Sequence, residues 1–438
     1  MSGLLRLEEA RDQVLAAVSG PLEAETVGLD AALGRVLAAP VRSTTDLPPW
    51  DNSAMDGYAV RAADLELASQ ARPVRLAVIG EVAAGSAPAV TVRAGTAVRI
   101  ATGALVPPGA DAVVPVELTT PLDPDGRAGP RGREASGALP GGCLVHEPVP
   151  PGNSIRRRGE DLRAGAIVLE AGTPLNPAGV TIAAGVGTAE VSVHRRPRVA
   201  VLATGDEVRA PGEPLEPAGL PDANGPGLRA LVRAAGGEPV GLGVARDRLD
   251  DVIGRLGAVL DTVDLVIVSG GVSVGPYDVV RGAFETIGRV DLWRVAIQPG
   301  KPFAFGLAER VGQRPVLLFG LPGNPVSSFV TFELFVRPAL RRLAGHSQLV
   351  RPPDRAVLED EVTKSHGRRA FVRVAAVRAP TGGPLRDERG RVVVRLAGGQ
   401  GSHMLTALAA ADALAIIPEA HDRLPAGSEV ELWWLDRA

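Results

Sequence analysis

Between residues 197 and 345 the chain alternates short apolar runs with segments of helical periodicity, and this pattern restricts the possible folds more than any other feature. The apolar runs include "RVAVLATGDEV", "DLVIVSGG" and "PVLLFGLPG". The segments between them predict helices at Arg229–Ala235, Leu249–Leu260 and Val279–Ile287, followed by a long helix over residues 327–343. Strands that alternate with helices imply right-handed crossovers and a mostly parallel sheet.

The segments on either side have different patterns. Residues 5–18 fit one face of a helix, whereas residues 58–117 contain short strand-like runs separated by glycine and proline. Residues 119–142 are rich in proline, glycine and charge, which predicts a mobile surface loop. Strand-like runs return after Gly345 and predict a small β-barrel or sandwich. A chain of 438 residues with these changes of pattern is expected to form several domains.

Composition disfavours several classes of protein. The net charge is −3 and aromatic residues make up 3% of the chain, which argues against a nucleic-acid binder. Cys143 is the only cysteine, so the chain can form neither an internal disulfide nor a thiolate metal cluster. No apolar run approaches the ~20 residues of a membrane span, and the amphipathic N-terminus lacks a signal-peptide pattern. These features predict a cytoplasmic protein without membrane or nucleic-acid partners.

Four turns follow predicted strands, and in an open parallel sheet ligands bind beyond the carboxyl ends of the strands. The turns are "TGDE" at 204–207, "ARD" at 245–247, "SGGVSVGPYD" at 269–278 and "GLPGNPVS" at 320–327. Gly270, Gly271 and Gly275 would let backbone N–H groups approach an anion. The spacing matches neither the Rossmann nor the P-loop fingerprint. The loop could therefore be a tight turn, a phosphate cradle, or a phosphate cradle with a metal beside it.

Three of these turns carry an acid, namely Glu207, Asp247 and Asp278. Each alone could be a solvated turn residue or a helix N-cap. Three carboxylates brought to one sheet edge repel one another unless a cation joins them, and Mg²⁺ prefers a few carboxylates together with phosphate oxygens. The set of three therefore favours a phosphate or diphosphate with Mg²⁺ beside it.

Two further segments concentrate charge. Lys301, between Gly300 and Pro302 in "QPGKPFAFG", suits an oxyanion, although a loop lysine at the surface is an equally simple interpretation. The "IRRRGED" segment at 155–161 could be a solvated face or could bind phosphate or a carboxylate across a subunit boundary. The six histidines show no zinc-hydrolase spacing, and no GxSxG elbow is present.

Nine motifs, in this order along residues 32–405, resemble the molybdenum insertases: the bacterial MoeA-type molybdopterin molybdenumtransferases and the gephyrin E domain. They are "ALGRVLA", "DNSAMDGYAVR", "RIATGA", "IRRRGED", "TGDEV", "SGGVSVG", "PGKPFAFG", "GLPGNPVS" and "QGSHML". Each motif alone is weak, but the ordered set is highly specific. The 119–142 loop is the main part that the resemblance does not cover.

The resemblance implies a multidomain α/β plus β protein that forms an elongated homodimer. Its central parallel-sheet α/β domain would be accompanied by an inserted β domain and a C-terminal β-barrel. The implied parts are a linking domain made of residues 1–45 and 143–185, an inserted β domain at 46–142, a molybdopterin-binding α/β domain at 186–344, and a barrel at 345–438.

The implied activity belongs to molybdenum cofactor biosynthesis. A molybdopterin molybdotransferase of this family inserts molybdate into adenylylated molybdopterin with Mg²⁺-dependent release of AMP. The dithiolene sulfurs belong to the pterin, which is consistent with a single cysteine in the chain. The molybdopterin adenylyltransferase is a further implied partner. A tungstate-preferring or inactive paralogue that serves as a pterin-binding scaffold is the alternative, and a nucleotide hydrolase acting on another pyrophosphate is a second one.

Site residues follow from the strand-end turns and from the resemblance, motif by motif. The catalytic set is Asp56, Glu207, Asp247, Asp278 and Lys301, of which Glu207, Asp247 and Asp278 would hold the metal. Asp56, Thr102, Arg156 and Asp161 would reach the site from the partner subunit. The residues expected to contact pterin, phosphate or oxyanion are Thr102, Arg156, Asp161, Thr204, Gly270, Gly271, Ser273, Gly275, Pro302, Pro322, Gly323, Asn324, Pro325, Ser327, Arg368 and Ser402.

The chain departs from the family pattern at several lysine positions. Gln298 stands where the family's "KPGKP" has its first lysine, and Arg281 and Arg294 replace two others. The family's "D-S/T-N" element is Asp222-Ala223-Asn224 here. Arginine keeps the charge but not the geometry of lysine, whereas glutamine removes the charge. We therefore predict that replacing Gln298 with lysine tightens molybdate binding.

Overall fold

The computed structural model describes residues 4–132, 138–271 and 279–435. The chain divides into two compact units. The first comprises Met1–Ala39, Ala171–Asn176 and Ser192–Ala438, and the second comprises Pro40–Glu170 and Pro177–Val191. The division into four domains built from five segments, predicted above, is finer than these two units and stays a prediction.

A six-stranded sheet forms the core of the second unit. Its strands lie in the order Ala112–Pro115, Gly57–Val60, Thr96–Ile100, Val74–Val82, Gly142–Val145 and Thr119–Leu122. Cys143 is fully buried in this sheet. The unit also contains the helix Pro177–Gly185 and the short strand pairs Asn52–Ser53 with Ile155–Arg156 and Val41–Arg42 with Ile167–Leu169.

The prediction of a surface loop over 119–142 was wrong for its first residues. Thr119–Leu122 is a fully buried strand that pairs antiparallel with Gly142–Val145. It is the last strand of the sheet, where Pro121 needs no ladder partner on its open side. Residues 133–137 of the predicted loop lie outside the described residues.

A second six-stranded sheet forms the centre of the first unit. Its strands lie in the order Glu238–Ala245, Arg198–Thr204, Leu265–Ser269, Val316–Leu321, Pro302–Ala308 and Arg289–Arg294. The first four are parallel, as predicted, and the last two are antiparallel. The sequence prediction missed these last two, because Pro299 and Gly300 just before Pro302–Ala308 indicated a turn and hid the apolar run that follows.

Helices cover both faces of this sheet because alternate strand residues point to opposite sides. Val199 and Val201 belong to a core that also contains residues of the helices Leu7–Ala16 and Asn224–Ala234. Ala200 and Leu202 belong to a separate core with the other two crossover helices. The crossover helices are Asn224–Ala234, Leu249–Gly257 and Val279–Ile287, of which the last has the predicted bounds.

The predicted long helix over residues 327–343 is interrupted. The chain forms an α-helix at Pro325–Thr331, a π-helix at Phe332–Val336 and a second α-helix at Arg337–Leu343. Pro338 explains the change, because proline has no N–H to donate to the carbonyl four residues earlier and its ring crowds that turn.

A closed barrel of five strands ends the chain. Around the barrel the strands follow the order Arg369–Ala376, Val392–Leu396, Asp354–Leu358, Glu429–Trp434 and Ala413–Ile417, and the last pairs with the first. The sequence prediction of a C-terminal barrel is thereby confirmed, although it missed Ala413–Ile417. The short strand Ile297–Gln298 pairs with Arg369–Ala376. Within the described residues no helix has the length and apolar character that a membrane span requires.

Candidate active site

A cavity of about 590 Å³ lies at the carboxyl ends of the parallel strands. Thr204 and Gly205 follow the first strand, Asp247 the second, Ser269 to Gly271 the third, and Gly323 to Pro325 the fourth. The parallel strands bring these turns together because their carboxyl ends meet at one edge of the sheet. This edge is where the sequence analysis placed its ligand.

Glycine is required where two of these turns meet. Gly270 has φ +106° and its N–H donates to the Leu321 carbonyl at 3.1 Å. A Cβ atom on Gly270 would lie 2.5 Å from the Thr204 carbonyl oxygen and 2.7 Å from its hydroxyl. A Cβ on Gly323 would come within 3.7 Å of the Gly270 Cα. The turn at Gly270 can therefore pack this closely against Thr204 only because residue 270 has no Cβ atom.

Asn224 joins two of the turns from the start of its helix. Its side-chain amide donates to the Ser269 hydroxyl at 2.8 Å and to the Gly323 carbonyl at 2.7 Å. The Ser269 hydroxyl is also 3.1 Å from that of Ser328, which donates to the Pro322 carbonyl. This network fixes the glycine-rich turn against the turn that precedes the helix Pro325–Thr331.

Two predicted metal ligands, Glu207 and Asp247, line the cavity. The Asp247 N–H donates to an Asp206 carboxylate oxygen at 3.3 Å. Partial burial, followed by the negative charges of Asp206 and Glu207, raises the pKa of Asp247 above its ordinary value. All three side chains remain open to solvent, which screens part of this repulsion.

The third predicted ligand, Asp278, lies outside the described residues, as do Ser273 and Gly275. Within the described ranges no group of three or more histidine, cysteine, aspartate or glutamate side chains is arranged to hold a metal ion. The metal assignment stays a prediction that rests on Glu207 and Asp247.

A second group of predicted residues lies around the helix Pro325–Thr331. Ser327 is buried there, and its carbonyl accepts a hydrogen bond from the Thr331 hydroxyl at 2.8 Å. A Cβ on Gly300 would lie 2.6 Å from the Thr331 methyl group, so Lys301 follows a glycine packed on this helix. The Val326 N–H donates to the Ser402 carbonyl at 3.1 Å. The segments that carry Lys301 and Ser402, which are distant in the sequence, thus both contact the helix that carries Ser327.

The barrel loop that carries Arg368 is held by two polar contacts. The Lys364 ammonium donates to the Arg368 carbonyl at 2.6 Å. The side-chain oxygen of Gln298 accepts a hydrogen bond from the Ser365 N–H at 3.0 Å. Lysine at position 298 could not accept this hydrogen bond from the Ser365 N–H, because its side chain has no acceptor atom.

Arg281, the second departure from the family pattern, is exposed. It forms an ion pair with Glu285 one helical turn away, at 2.7 Å.

In the second unit two predicted site residues meet directly. One carboxylate oxygen of Asp56 accepts hydrogen bonds from the Thr102 N–H at 2.6 Å and from its hydroxyl at 2.9 Å. Both residues are exposed. The Asp161 N–H donates to the Leu47 carbonyl at 3.0 Å, and Arg156 pairs in a short ladder with Asn52.

The other two arginines of "RRRGED" have structural partners. Arg157 forms an ion pair with Asp51 at 2.7 Å, and Arg158 forms one with Asp46. Arg158 agrees best with the interpretation of this segment as a solvated face, because most of its side chain is exposed. Its ion-pair partner, Asp46, is buried. Arg156 is exposed as well, and Asp161 lies near the same turn.

Several residues at the cavity or next to it were not predicted. Asp206 does not line the cavity, but its charge adds to the effect of burial in raising the pKa of Asp247. It lies in the quoted "TGDE" turn and was not counted among the acids. Asn224 was noted only as part of a departure from the family pattern. His403 and Leu405 line the cavity from the segment after the barrel strand Val392–Leu396. Both lie in the quoted "QGSHML" motif, but only Ser402 of that motif was assigned to the site, because their position at the cavity depends on the packing of the barrel loop.

Models of three known regions match the chain in order. The MoeA N-terminal region (domain I and II) matches residues 5–187, a probable molybdopterin binding domain matches 200–342, and the MoeA C-terminal region (domain IV) matches 355–435. The chain belongs to the MoeA family. The resemblance seen in the motifs is thereby confirmed.

Relatives of nearly the same length carry one name. A molybdopterin molybdenumtransferase of Haemophilus influenzae is 35% identical over 98% of both chains. Molybdopterin molybdenumtransferase 2 of Mycobacterium tuberculosis is 38% identical over 98% of this chain and 99% of its own. The crystal structure of a molybdopterin biosynthesis MoeA protein from Pyrococcus horikoshii superposes with a TM-score of 0.76 at 33% identity, covering 99% of each chain. These matches confirm the multidomain fold class and the assignment of the chain as a transferase.

Proposed function

We propose that this transferase of molybdenum cofactor biosynthesis inserts molybdate into adenylylated molybdopterin and releases AMP in a Mg²⁺-dependent reaction. The observation that carries the proposal is the cavity at the strand ends, which combines glycine turns without side chains and two acids, Glu207 and Asp247. Backbone N–H groups and a cation are the partners that a diphosphate requires.

The acids are suited to a divalent cation. Partial burial, together with the negative charges of Asp206 and Glu207, raises the pKa of Asp247, and a bound cation would offset both effects. Glu207 and Asp247 would hold Mg²⁺, with Asp278 as a third ligand. When bound, the ion would neutralise charge that develops on the phosphate oxygens. The acids would thus be neutralised by the bound cation. The diphosphate would contact the backbone of the turn at Gly270, where the structure has no room for a side chain.

The bond changes follow from the substrates. An oxygen of water forms a bond to the adenylyl phosphorus, and the P–O bond from that phosphorus to the bridging oxygen breaks. The bridging oxygen leaves with the electron pair on the phosphate of molybdopterin, so the products are AMP and molybdopterin. The two dithiolene sulfurs then replace two oxygens of molybdate, which take up protons and leave as water. Lys301, Pro302, Ser327, Arg368 and Ser402 would bind the oxyanion, with Lys301 and Arg368 supplying positive charge.

Incubation of the protein with adenylylated molybdopterin, MgCl₂ and molybdate tests the proposal. We expect AMP release that requires both the metal and the oxyanion, together with formation of molybdenum cofactor. Tungstate in place of molybdate identifies a tungstate-preferring enzyme. Binding of the pterin without release of AMP under any of these conditions would support a scaffold role and contradict the proposal.

We expect the active protein to be a symmetric homodimer whose site combines residues of both subunits. Light scattering at micromolar concentration should give twice the chain mass of 45.1 kDa. A sharper measurement mixes two variants of strongly reduced activity, Asp56→Asn and Asp247→Asn. If the site is shared, half of the mixed molecules are heterodimers with one intact site, and activity should return to about a quarter of that of the unchanged protein. Mixtures as inactive as their components would contradict a shared site.

Gln298→Lys is expected to tighten molybdate binding by about tenfold, because a charge-assisted hydrogen bond contributes roughly 1.5–3 kcal/mol. The variant should also unfold at a lower temperature, since the Ser365 N–H loses its acceptor. Calorimetric titration with molybdate and thermal scans measure the two effects. Gln298→Met is the matched control, because it removes the acceptor without adding charge. Equal or weaker binding by the lysine variant would contradict the prediction.

A further inference from the structure

Arg373 carries a positive charge in the interior of the first unit. It lies in the barrel strand Arg369–Ala376, and only 1% of its surface is exposed. Within the described residues no acidic side chain pairs with it, and its Nε atom has no hydrogen-bond partner. Burial without a compensating charge lowers the pKa of Arg373. A buried charge of this kind is costly unless an anion or a set of dipoles compensates it.

The dipoles come from one loop, Gly398–Ser402. The Arg373 Nη2 group donates to the Gly399 carbonyl at 3.0 Å and to the Gly401 carbonyl at 3.2 Å. The Gln400 side chain bonds back, accepting from the Arg373 N–H at 2.9 Å and donating to the Arg373 carbonyl at 3.0 Å. Arg373 therefore helps to fix the direction of the Gly399 and Gly401 carbonyl groups.

The same contacts leave donors of the loop free. The Gly399 carbonyl accepts from Arg373, the Gly401 carbonyl from Arg373 and from the Met404 N–H at 3.1 Å, and the Ser402 carbonyl from the Val326 N–H. Among the described residues, no acceptor is in hydrogen-bond range of the Gly401 and Ser402 N–H groups. The segment continues into His403, which lines the cavity at the strand ends. A loop with oriented free N–H groups beside a buried cation that is compensated by carbonyl dipoles but by no described acidic side chain is an arrangement that attracts an anion.

We propose that Arg373 is a positioning residue for the oxyanion substrate: it orients the Gly399–Ser402 loop to present its N–H groups, and its buried charge adds to the attraction for a dianion. This inference rests on the proposed function, since molybdate is the oxyanion in question. Arg373 does not touch the oxyanion itself, because its side chain is fully buried and already occupied by the loop carbonyls. It acts through Gly401 and Ser402.

Two variants separate the parts of this role. Arg373→Met removes the charge and releases the carbonyls, while a side chain of similar length fills the space. Arg373→Lys keeps the charge but cannot reach both carbonyls with one planar fork. Arg395→Met is the matched control, because Arg395 is an exposed arginine on the next barrel strand and its loss makes the same change in net charge.

The measurements are calorimetric titration with sodium molybdate and steady-state kinetics with each substrate varied in turn. We expect the methionine variant to bind molybdate about tenfold or more weakly. Its KM for molybdate should rise, whereas its KM for the pterin and its kcat at saturating molybdate should change less than twofold. The lysine variant should recover part of the affinity. The Arg395 control should match the unchanged protein.

The outcomes distinguish this inference from the function on which it rests. If the unchanged protein neither binds nor consumes molybdate, the proposed function is wrong. If it does and the Arg373 variants bind molybdate equally well, only the role of Arg373 is wrong. A parallel loss of pterin binding, kcat and thermal stability in both Arg373 variants would mean that the residue merely supports the barrel, and would also overturn the inference.

Discussion

Asp247→Asn should lower Mg²⁺-dependent AMP release by about tenfold or more, which corresponds to roughly 1.4 kcal/mol of transition-state stabilisation. The substitution keeps the size of the side chain but removes one of the three described carboxylates that line the cavity, Glu207, Asp222 and Asp247. It also removes a charge whose partial burial and repulsion by Asp206 and Glu207 raise the pKa of this group. The variant should therefore lose activity without losing thermal stability.

The dependence of stability on pH follows from the direction of the pKa shift. A carboxyl group whose pKa is raised above 3.8 in the folded protein binds its proton more readily there than in the unfolded chain. The ionised group thus destabilises the fold at neutral pH, and this penalty disappears as the pH falls through the raised pKa towards 3.8. The unfolding midpoint of Asp247→Asn should equal or exceed that of the unchanged protein at pH 7, and the difference should vanish near pH 4.

Asp250→Asn is the matched control for this experiment. Asp250 is exposed in the first turn of the next helix, three residues from Asp247. Its loss changes the net charge equally and should leave AMP release unchanged. Full activity of Asp247→Asn would remove that residue from the site, and a lower midpoint at pH 7 would show that its charge is compensated in the folded protein.

Gly270→Ala is expected to produce the largest loss of stability. The residue has φ +106°, a backbone conformation that costs other residues about 1–3 kcal/mol. The added methyl group would also meet the Thr204 carbonyl oxygen at 2.5 Å, a contact with backbone that cannot move without shifting a central strand. We expect a decrease of about 3 kcal/mol or more in the free energy of unfolding measured with urea.

Gly212→Ala separates the two causes. Gly212 has φ +93° in the same unit, but nothing lies within 4 Å of the position that its Cβ would occupy. This control should show only the conformational cost, about 1–3 kcal/mol. If both variants lose the same stability, the turn at Gly270 has room for a methyl group and the close approach to Thr204 does not limit the site.

The elements that could be predicted are those with a strong local pattern. Leu265–Ser269 and Val316–Leu321 are apolar runs that lead into glycine-containing turns, so both the strands and the turns after them follow from the sequence. Glu207 and Asp247 could be assigned to one edge because parallel strands end together. The antiparallel strand Pro302–Ala308 could not, since Pro299 and Gly300 just before it gave a turn signal stronger than its short apolar run.

Contacts between distant residues explain the rest. Asn224 bonds to Ser269 and to Gly323, which are 45 and 99 residues away in the chain. Arg373 is a buried arginine between apolar residues, a position where the strand pattern alone suggests a solvent-facing side chain. Such residues owe their role to tertiary packing, which a single sequence does not encode in any local period.

The burial of Cys143 makes the chain suitable for site-specific spectroscopy. Burial raises the pKa of its thiol to about 12, so the thiolate that reacts with maleimides or methanethiosulfonates is present in about one molecule in 10⁵ at pH 7. A cysteine introduced at an exposed position would consequently be labelled almost alone, without removal of the native one. One label in each of the two units would then give spin–spin or fluorescence-transfer distances before and after addition of the pterin and molybdate.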